Sequence, residues 1–237
     1  MEKLCKYSWL LLDADDTILA YDQAEAQALK NVFHHYQIPF DREINDLYQE
    51  INRSFWRRLE KGGISLENLR SQRFADLFNE LGIDLDAVKF SHDYLMLLGQ
   101  EAPLLPDVWD TLQQLKSHFR LALITNGITS VQRSRLTVSR LDSFFEHVFI
   151  SEEIGYFKPA VEFFKFVHTA IGEPKKEEIL VIGDSLSSDI AGGVRFGLDT
   201  CWVNPTGKEA PEALKPTFEI AKLAELVPIL IGNQENR

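Results

Sequence analysis

Short apolar runs without alternation punctuate this chain: SWLLL (8–12), RLALIT (120–125), HVFIS (147–151), EILVIG (178–183) and TCWV (200–203). Each is bounded by polar residues. A strand covered on both faces has no solvent side to carry polar side chains, so such runs predict buried parallel strands. Between them the spacing turns helical. Val108, Leu112 and Leu115 share one face; Val161, Phe164, Val167 and Ile171 share another, opened by Pro159 and closed by Gly172. Ile190 and Val194 continue a third stripe. Strand and helix thus alternate from residue 104 to residue 205, the pattern of an α/β fold with a doubly wound parallel sheet.

Residues 23–102 break the rhythm. AEAQALKNVFHHYQI, EINDLYQEINRSFWRRLEKGG and ENLRSQRFADLFNELG give three helical readings and no strand. EAPLLPDV (101–108), with two prolines, reads as the link back to the strands. The expected organisation is an α/β core from 1–17 and 103–237, interrupted over 18–102 by a helical bundle. The chain shows no internal repeat and no low-complexity tract.

Composition narrows the function classes. With 237 residues, 45% of them hydrophobic and 26% charged, the chain has the makings of an ordinary globular core. A formal charge of −11 argues against a surface that coats a nucleic-acid polymer, yet leaves room for a local positive site on a small anion. The two cysteines, Cys5 and Cys201, form no CxxC and no disulfide framework, which favours a reducing compartment. No stretch approaches the ~20 apolar residues of a membrane helix. The expectation is a cytoplasmic protein, monomer or homodimer, with neither membrane nor nucleic acid as partner.

The chemistry gathers at the strand ends, where open α/β sheets bind their ligands. DADDT (13–17), TNG (125–127), GYFKP (155–159) and GDSLSSD (183–189) each follow a predicted strand. Singly, each has a plain explanation: acidic turns are common, and Ser, Asp and Asn cap helices. Together they bring carboxylates, a hydroxyl and a lysine to one edge of the sheet. Lys158 precedes Pro159 at a helix start, where the helix dipole disfavours a cation unless an anion is bound. Asp13, Asp15 and Asp184 repel one another unless a divalent cation sits among them. Arg133, Arg135 and Arg140 read as a solvated helix face, His34 and His35 as surface or structural residues. Trp56, Arg57 and Arg58 are weak candidates for touching a base or sugar.

The order Asp13-x-Asp15-x-Thr17, Thr125, Lys158, Gly183-Asp184-x4-Asp189 resembles the four motifs of the haloacid dehalogenase (HAD) superfamily, spanning residues 13–189. The helical insert after the first motif is similar to that superfamily's C1 cap. DADDTIL, LITNGITSVQRSRL and ISEEIGYFKPAVEFF most resemble 5′-nucleotidases acting on pyrimidine and non-standard nucleoside monophosphates. The resemblance implies a Mg²⁺-dependent phosphomonoesterase that works through an aspartyl-phosphate on a small phosphorylated substrate. It makes Asp13 the nucleophile and Asp15 the general acid, later the base. Thr125, Asn126, Gly127 and Lys158 would bind the phosphoryl group. Mg²⁺ would be held by Asp13, the Asp15 carbonyl and Asp184, with Asp189 behind them fixing Lys158 or a metal-bound water. Thr17 would order the loop, and Asp16 would face solvent or order the turn. A sugar-phosphate phosphatase or phosphomutase uses the same motifs. A 2-haloacid dehalogenase or a phospho-accepting signalling module accounts for fewer of them.

Overall fold

Six parallel strands form one sheet: β1 (Trp9–Leu12), β2 (Arg120–Thr125), β3 (His147–Ile150), β4 (Ile179–Gly183), β5 (Asp199–Val203) and β6 (Phe218–Ile220). The computed structural model describes residues 6–232, so Cys5 lies outside the described residues. The strand order is β3-β2-β1-β4-β5-β6. The chain therefore builds outward from β1 on one side, then crosses over and builds outward from β4 on the other. In register, Leu12 lies beside Leu123 of β2 and Ile182 of β4. β1 and β4 meet where the direction of winding reverses, which opens a crevice at their carboxyl ends.

The strands are apolar because both faces are covered. Trp9, Leu11, Ala122, Ile124, Ile179 and Val181 pack with Phe163, Phe164 and Val167 of α8 (Val161–Ala170) and Phe196 of α9 (Ala191–Phe196). Close approach of α9 needs Gly192, where a Cβ would fall 2.2 Å from the Phe164 ring. Leu10, Leu12, Leu121, Leu123, Leu180 and Ile182, the alternate positions, are also buried. On the sequence side β6 had no signal. It is three residues long with Glu219 at its centre, too short for a run to show.

Two compact units divide the chain. One contains the sheet, with the described residues up to Ala20, Pro103–Ile128 and those from Ser139 onward. It includes α5 (Val108–Lys116), the short α7 (Ser151–Ile154) and α10 (Leu226–Leu230). The other unit is helical and comprises Tyr21–Ala102 and Thr129–Val138. Its helices are α1 (Tyr21–His35), α2 (Arg42–Glu60), α3 (Leu66–Leu81), α4 (Ala87–Leu98) and most of α6 (Thr129–Ser139). The strand–helix alternation assigns α6 to the core, and one residue explains the difference. Arg135, expected on a solvated face, is fully buried. Its Nε donates to the Glu101 carbonyl at 3.0 Å, its Nη1 donates to Gln132 Oε1 at 3.2 Å, and its guanidinium lies 5.7 Å from the Tyr21 ring centre. The helix α4 also escaped the pattern. Val88 and Met96 are 68% and 61% exposed, while Phe90, Ser91, Tyr94 and Leu98 face inward, so exposed apolar residues blur its stripe. Among the described residues, no helix is long and apolar enough to cross a membrane.

A polar chain runs through the interior of the helical unit. Asn52 Nδ2 donates to Glu25 Oε1 at 2.6 Å, and Arg73 Nη1 donates to Asn52 Oδ1 at 2.7 Å. The Arg73 guanidinium lies among the rings of Tyr48, Phe74 and Tyr94, at 5.1–5.8 Å from their centres. Burial pushes Glu25 up to about 7, although Arg73, Tyr21 and Asn52 pull it down. Between the ordinary value of 4.5 and about 7 the folded protein keeps a proton that the unfolded chain gives up. The stability contributed by this group is therefore complete below pH 4.5 and is lost as pH rises to about 7. Glu25→Gln, which keeps an acceptor for Asn52, flattens that slope in melting curves recorded from pH 4.5 to 7.5; an unchanged slope contradicts the assignment.

Candidate active site

β1 delivers its last residue straight into the crevice. The Asp13 amide donates to the Ile182 carbonyl at 2.8 Å, so the β1–β4 ladder fixes the Asp13 backbone. The chain then turns tightly: Ile18 and Leu19 both donate to the Ala14 carbonyl, and Asp16 donates to Leu19. Asp16 has φ 56°, a left-handed conformation that Asp tolerates better than most residues. That is its contribution to the turn. Thr17 is fully buried, and its hydroxyl meets no hydrogen-bond partner among the described residues.

Lys158 joins three segments. Its Nζ donates to Asp13 Oδ1 at 2.5 Å, Asp189 Oδ1 at 2.6 Å and the Ile124 carbonyl at 2.9 Å. An ammonium has three protons, and all three are used. The side chain is only 2% exposed. Burial pulls its pKa down, but Asp13 and Asp189 outweigh that and hold it above the ordinary lysine value. The backbone of Lys158 is gripped as well. Asn126 Nδ2 donates to the Lys158 carbonyl, and the Lys158 amide donates to Asn126 Oδ1, both at 2.8 Å. The Asn126 side chain thus locks the loop after β2 to the segment leading into α8. Thr125 is buried, and its Oγ1 accepts from the Gly127 amide at 3.0 Å. That amide is therefore turned toward Thr125.

After β4 the chain enters a π-helical turn, Leu186–Ile190. Asp189, held in that turn, curls back: its Oδ2 accepts from the Ser185 amide at 3.2 Å while its Oδ1 takes Lys158. Gly183 makes this possible. A Cβ there would fall 2.3 Å from the Asp189 carboxylate. Carboxylate oxygens of Asp13, Asp184 and Asp189 all lie within 4.8 Å of one another. Burial raises Asp13 well above the usual carboxylate range; Lys158 opposes this, and Asp189 and Asp15 add to it. Burial likewise raises Asp184, helped by Asp13, Asp189 and Asp16. Three carboxylates against one ammonium leave two without a counter-charge. An all-oxygen donor set of this kind fits Mg²⁺.

The expected residues are thus distributed as follows. Asp13, Lys158, Asp184 and Asp189 come together at the β1–β4 crevice. Asn126 and the Ile124 carbonyl link the segment that carries Thr125 and Gly127 to Lys158. Asp15 is half-buried in the turn, near enough to raise Asp13. Asp189, expected behind the metal ligands, is both the third carboxylate of the cluster and the holder of Lys158. The grip of Asn126 on Lys158 has no signature in the sequence, because it depends on the fold bringing two loops together.

A doubly wound sheet with an acidic cluster and a buried lysine at its point of reversal is a Rossmann-like hydrolase core of the HAD type. The chain belongs to that family: the model of haloacid dehalogenase-like hydrolases matches residues 7–197. It is 39% identical to the HAD-hydrolase YfnB of Bacillus subtilis (strain 168), with 98% of this chain and 97% of that protein covered. The magnesium-bound crystal structure of YfnB superposes with a TM-score of 0.90, covering 94% of this chain and 98% of that one. Identity is 35% to the pyrimidine 5′-nucleotidase PynA of Streptococcus pneumoniae (strain ATCC BAA-255 / R6), covering 96% of both chains. It is 30% to the pyrimidine 5′-nucleotidase YjjG of Escherichia coli (strain K12), covering 95% of this chain and 98% of that protein.

Removing the shared cation tests the electrostatics. Lys158→Met leaves Asp13 and Asp189 without their partner and lowers the stability of the metal-free protein by about 3–5 kcal/mol. Urea unfolding in EDTA measures it; a loss below about 1 kcal/mol contradicts a buried charge cluster held by this lysine.

Proposed function

We propose that this chain is a Mg²⁺-dependent phosphomonoesterase that hydrolyses nucleoside 5′-monophosphates through an aspartyl-phosphate at Asp13. The observation that carries the reading is the placement of Lys158 between Asp13 and Asp189, with Asp184 beside them at the mouth of β1 and β4. The substrate class rests on the likeness to PynA and YjjG.

In the first step an Asp13 carboxylate oxygen bonds to phosphorus as the bond from phosphorus to the leaving oxygen breaks. Asp15 gives that oxygen its proton. In the second step Asp15 takes a proton from water, the water oxygen bonds to phosphorus, and the bond to Asp13 breaks, releasing inorganic phosphate. Asp13, Asp184 and the Asp15 carbonyl are the groups that would hold Mg²⁺, with Asp189 behind them. When bound, the ion supplies positive charge to the carboxylates and to the phosphoryl oxygens. Lys158 sets its charge beside Asp13, where it neutralises the intermediate and the transferring phosphoryl group. Asn126 positions Lys158 through its backbone. Thr125, whose oxygen already accepts from Gly127, offers its hydroxyl to a phosphate oxygen. In this reading the helical insert selects the leaving group.

Halide displacement would leave Asp15 and Asp184 without a task, because a halide departs without a proton and without a metal. The test is phosphate release from a panel of nucleoside monophosphates, sugar phosphates and 2-haloacids. Activity is highest on a nucleoside 5′-monophosphate and ceases in EDTA. Asp13→Asn abolishes it, and Asp15→Asn lowers it by about 10²–10⁴-fold. Turnover that survives EDTA or Asp13→Asn overturns the mechanism; a preference for sugar phosphates overturns the substrate assignment alone.

A further inference from the structure

We infer that Trp202 is a positioning residue for the metal centre, acting on Asp184 from the neighbouring strand. The inference rests on the proposed role of Asp184 as a Mg²⁺ ligand and extends it to a residue with no part in the four motifs.

The geometry is set by strand register. Parallel pairing of β4 with β5 places Trp202 opposite Gly183, the last residue before Asp184. The indole is 3% exposed, and its Nε1 donates to the Asp184 backbone carbonyl at 2.7 Å. That carbonyl belongs to the same peptide group as the Ser185 amide, and the Ser185 amide donates to Asp189 Oδ2 at 3.2 Å. Both ends of the 184–185 peptide are therefore held, one by an indole on β5 and the other by a carboxylate of the metal cluster. Within the turn, the Ser188 amide donates to Ser185 Oγ, and the Asp189 amide donates to the Ser185 carbonyl. Lys158 ties the far end of the turn, through Asp189, to Asp13 and the Ile124 carbonyl, and Trp202 ties its start to β5.

The anchor matters because Asp184 is under stress of charge. Its carboxylate sits near Asp13, Asp189 and Asp16, all of which repel it. A short loop in that position relieves repulsion by swinging outward. An outward shift of the Asp184 main chain would carry the carboxylate away, and it would break the indole bond. Trp202 thus holds Asp184 toward the site before a cation arrives, lowering the ordering cost that ion binding must otherwise meet.

The experiment is Mg²⁺ titration calorimetry of the wild-type protein and Trp202→Phe, combined with kcat at saturating Mg²⁺. Phenylalanine keeps most of the aromatic bulk and removes the donor. The half-saturation concentration of Mg²⁺ rises about three- to tenfold, as expected for one lost buried hydrogen bond, while kcat at saturation changes less than about twofold. Replacing Trp202 with β-(3-benzothienyl)alanine, which exchanges the N–H for sulfur and preserves shape, gives the same weakening and covers a phenylalanine variant that fails to fold. A variant with a lower melting temperature in EDTA but wild-type Mg²⁺ affinity overturns the inference and leaves a purely structural indole. Wild-type protein that binds no Mg²⁺ overturns the reading of Asp184 beneath it.

Discussion

Everything at this site depends on one ammonium lodged between two carboxylates. Lys158 donates one hydrogen bond each to Asp13, Asp189 and the Ile124 carbonyl, and so links the ends of β1 and β2 with the turn after β4. Without it, carboxylates from separate strands would be buried together with nothing to offset their repulsion or to repay the loss of water. With it, two of the three carboxyl groups still lack a counter-charge, and burial together with mutual repulsion pushes Asp13 and Asp184 above the usual carboxylate range. Incomplete neutralisation of this kind is a poor way to stabilise a fold and a good way to hold a divalent cation.

The sheet topology explains why these groups can meet at all. β1 and β4 are adjacent but lead their chains to opposite sides, so the residues that follow them face the same opening. Asp13 continues the ladder through its bond to Ile182, which gives the proposed nucleophile the rigidity of the strand. The partners come from less regular backbone: a left-handed Asp16, a loop gripped by Asn126 and a π-helical turn curled over Gly183. A rigid central carboxylate surrounded by individually braced loops is what positional catalysis requires.

Much of this was legible in the sequence because its physical causes are local. Buried parallel strands must be apolar throughout, so β1 to β5 stand out as runs. The acidic and basic residues at their ends stand out because little else would place them there. What escaped depends on distance in the chain or, in α4, on apolar residues left exposed. The strand β6, with Glu219 at its centre, is recognisable only by its pairing with β5. The inward face of α4 is hidden by the exposed Val88 and Met96. Arg135 reads as a surface cation until Glu101, Gln132 and Tyr21 are seen around it. In the site, the side-chain grip of Asn126 and the indole of Trp202 follow from strand register and loop approach, which no spacing of residue types encodes.

The most direct test of the account is a crystal structure of the wild-type protein grown with Mg²⁺ and beryllium fluoride, a mimic of the transferred phosphoryl group. The expected result is beryllium bonded to an Asp13 oxygen, one ion touched by Asp13 and Asp184, and Lys158 still lodged between Asp13 and Asp189. Asp13 and Asp184 turned away from each other, with neither ion nor mimic between them, would contradict it.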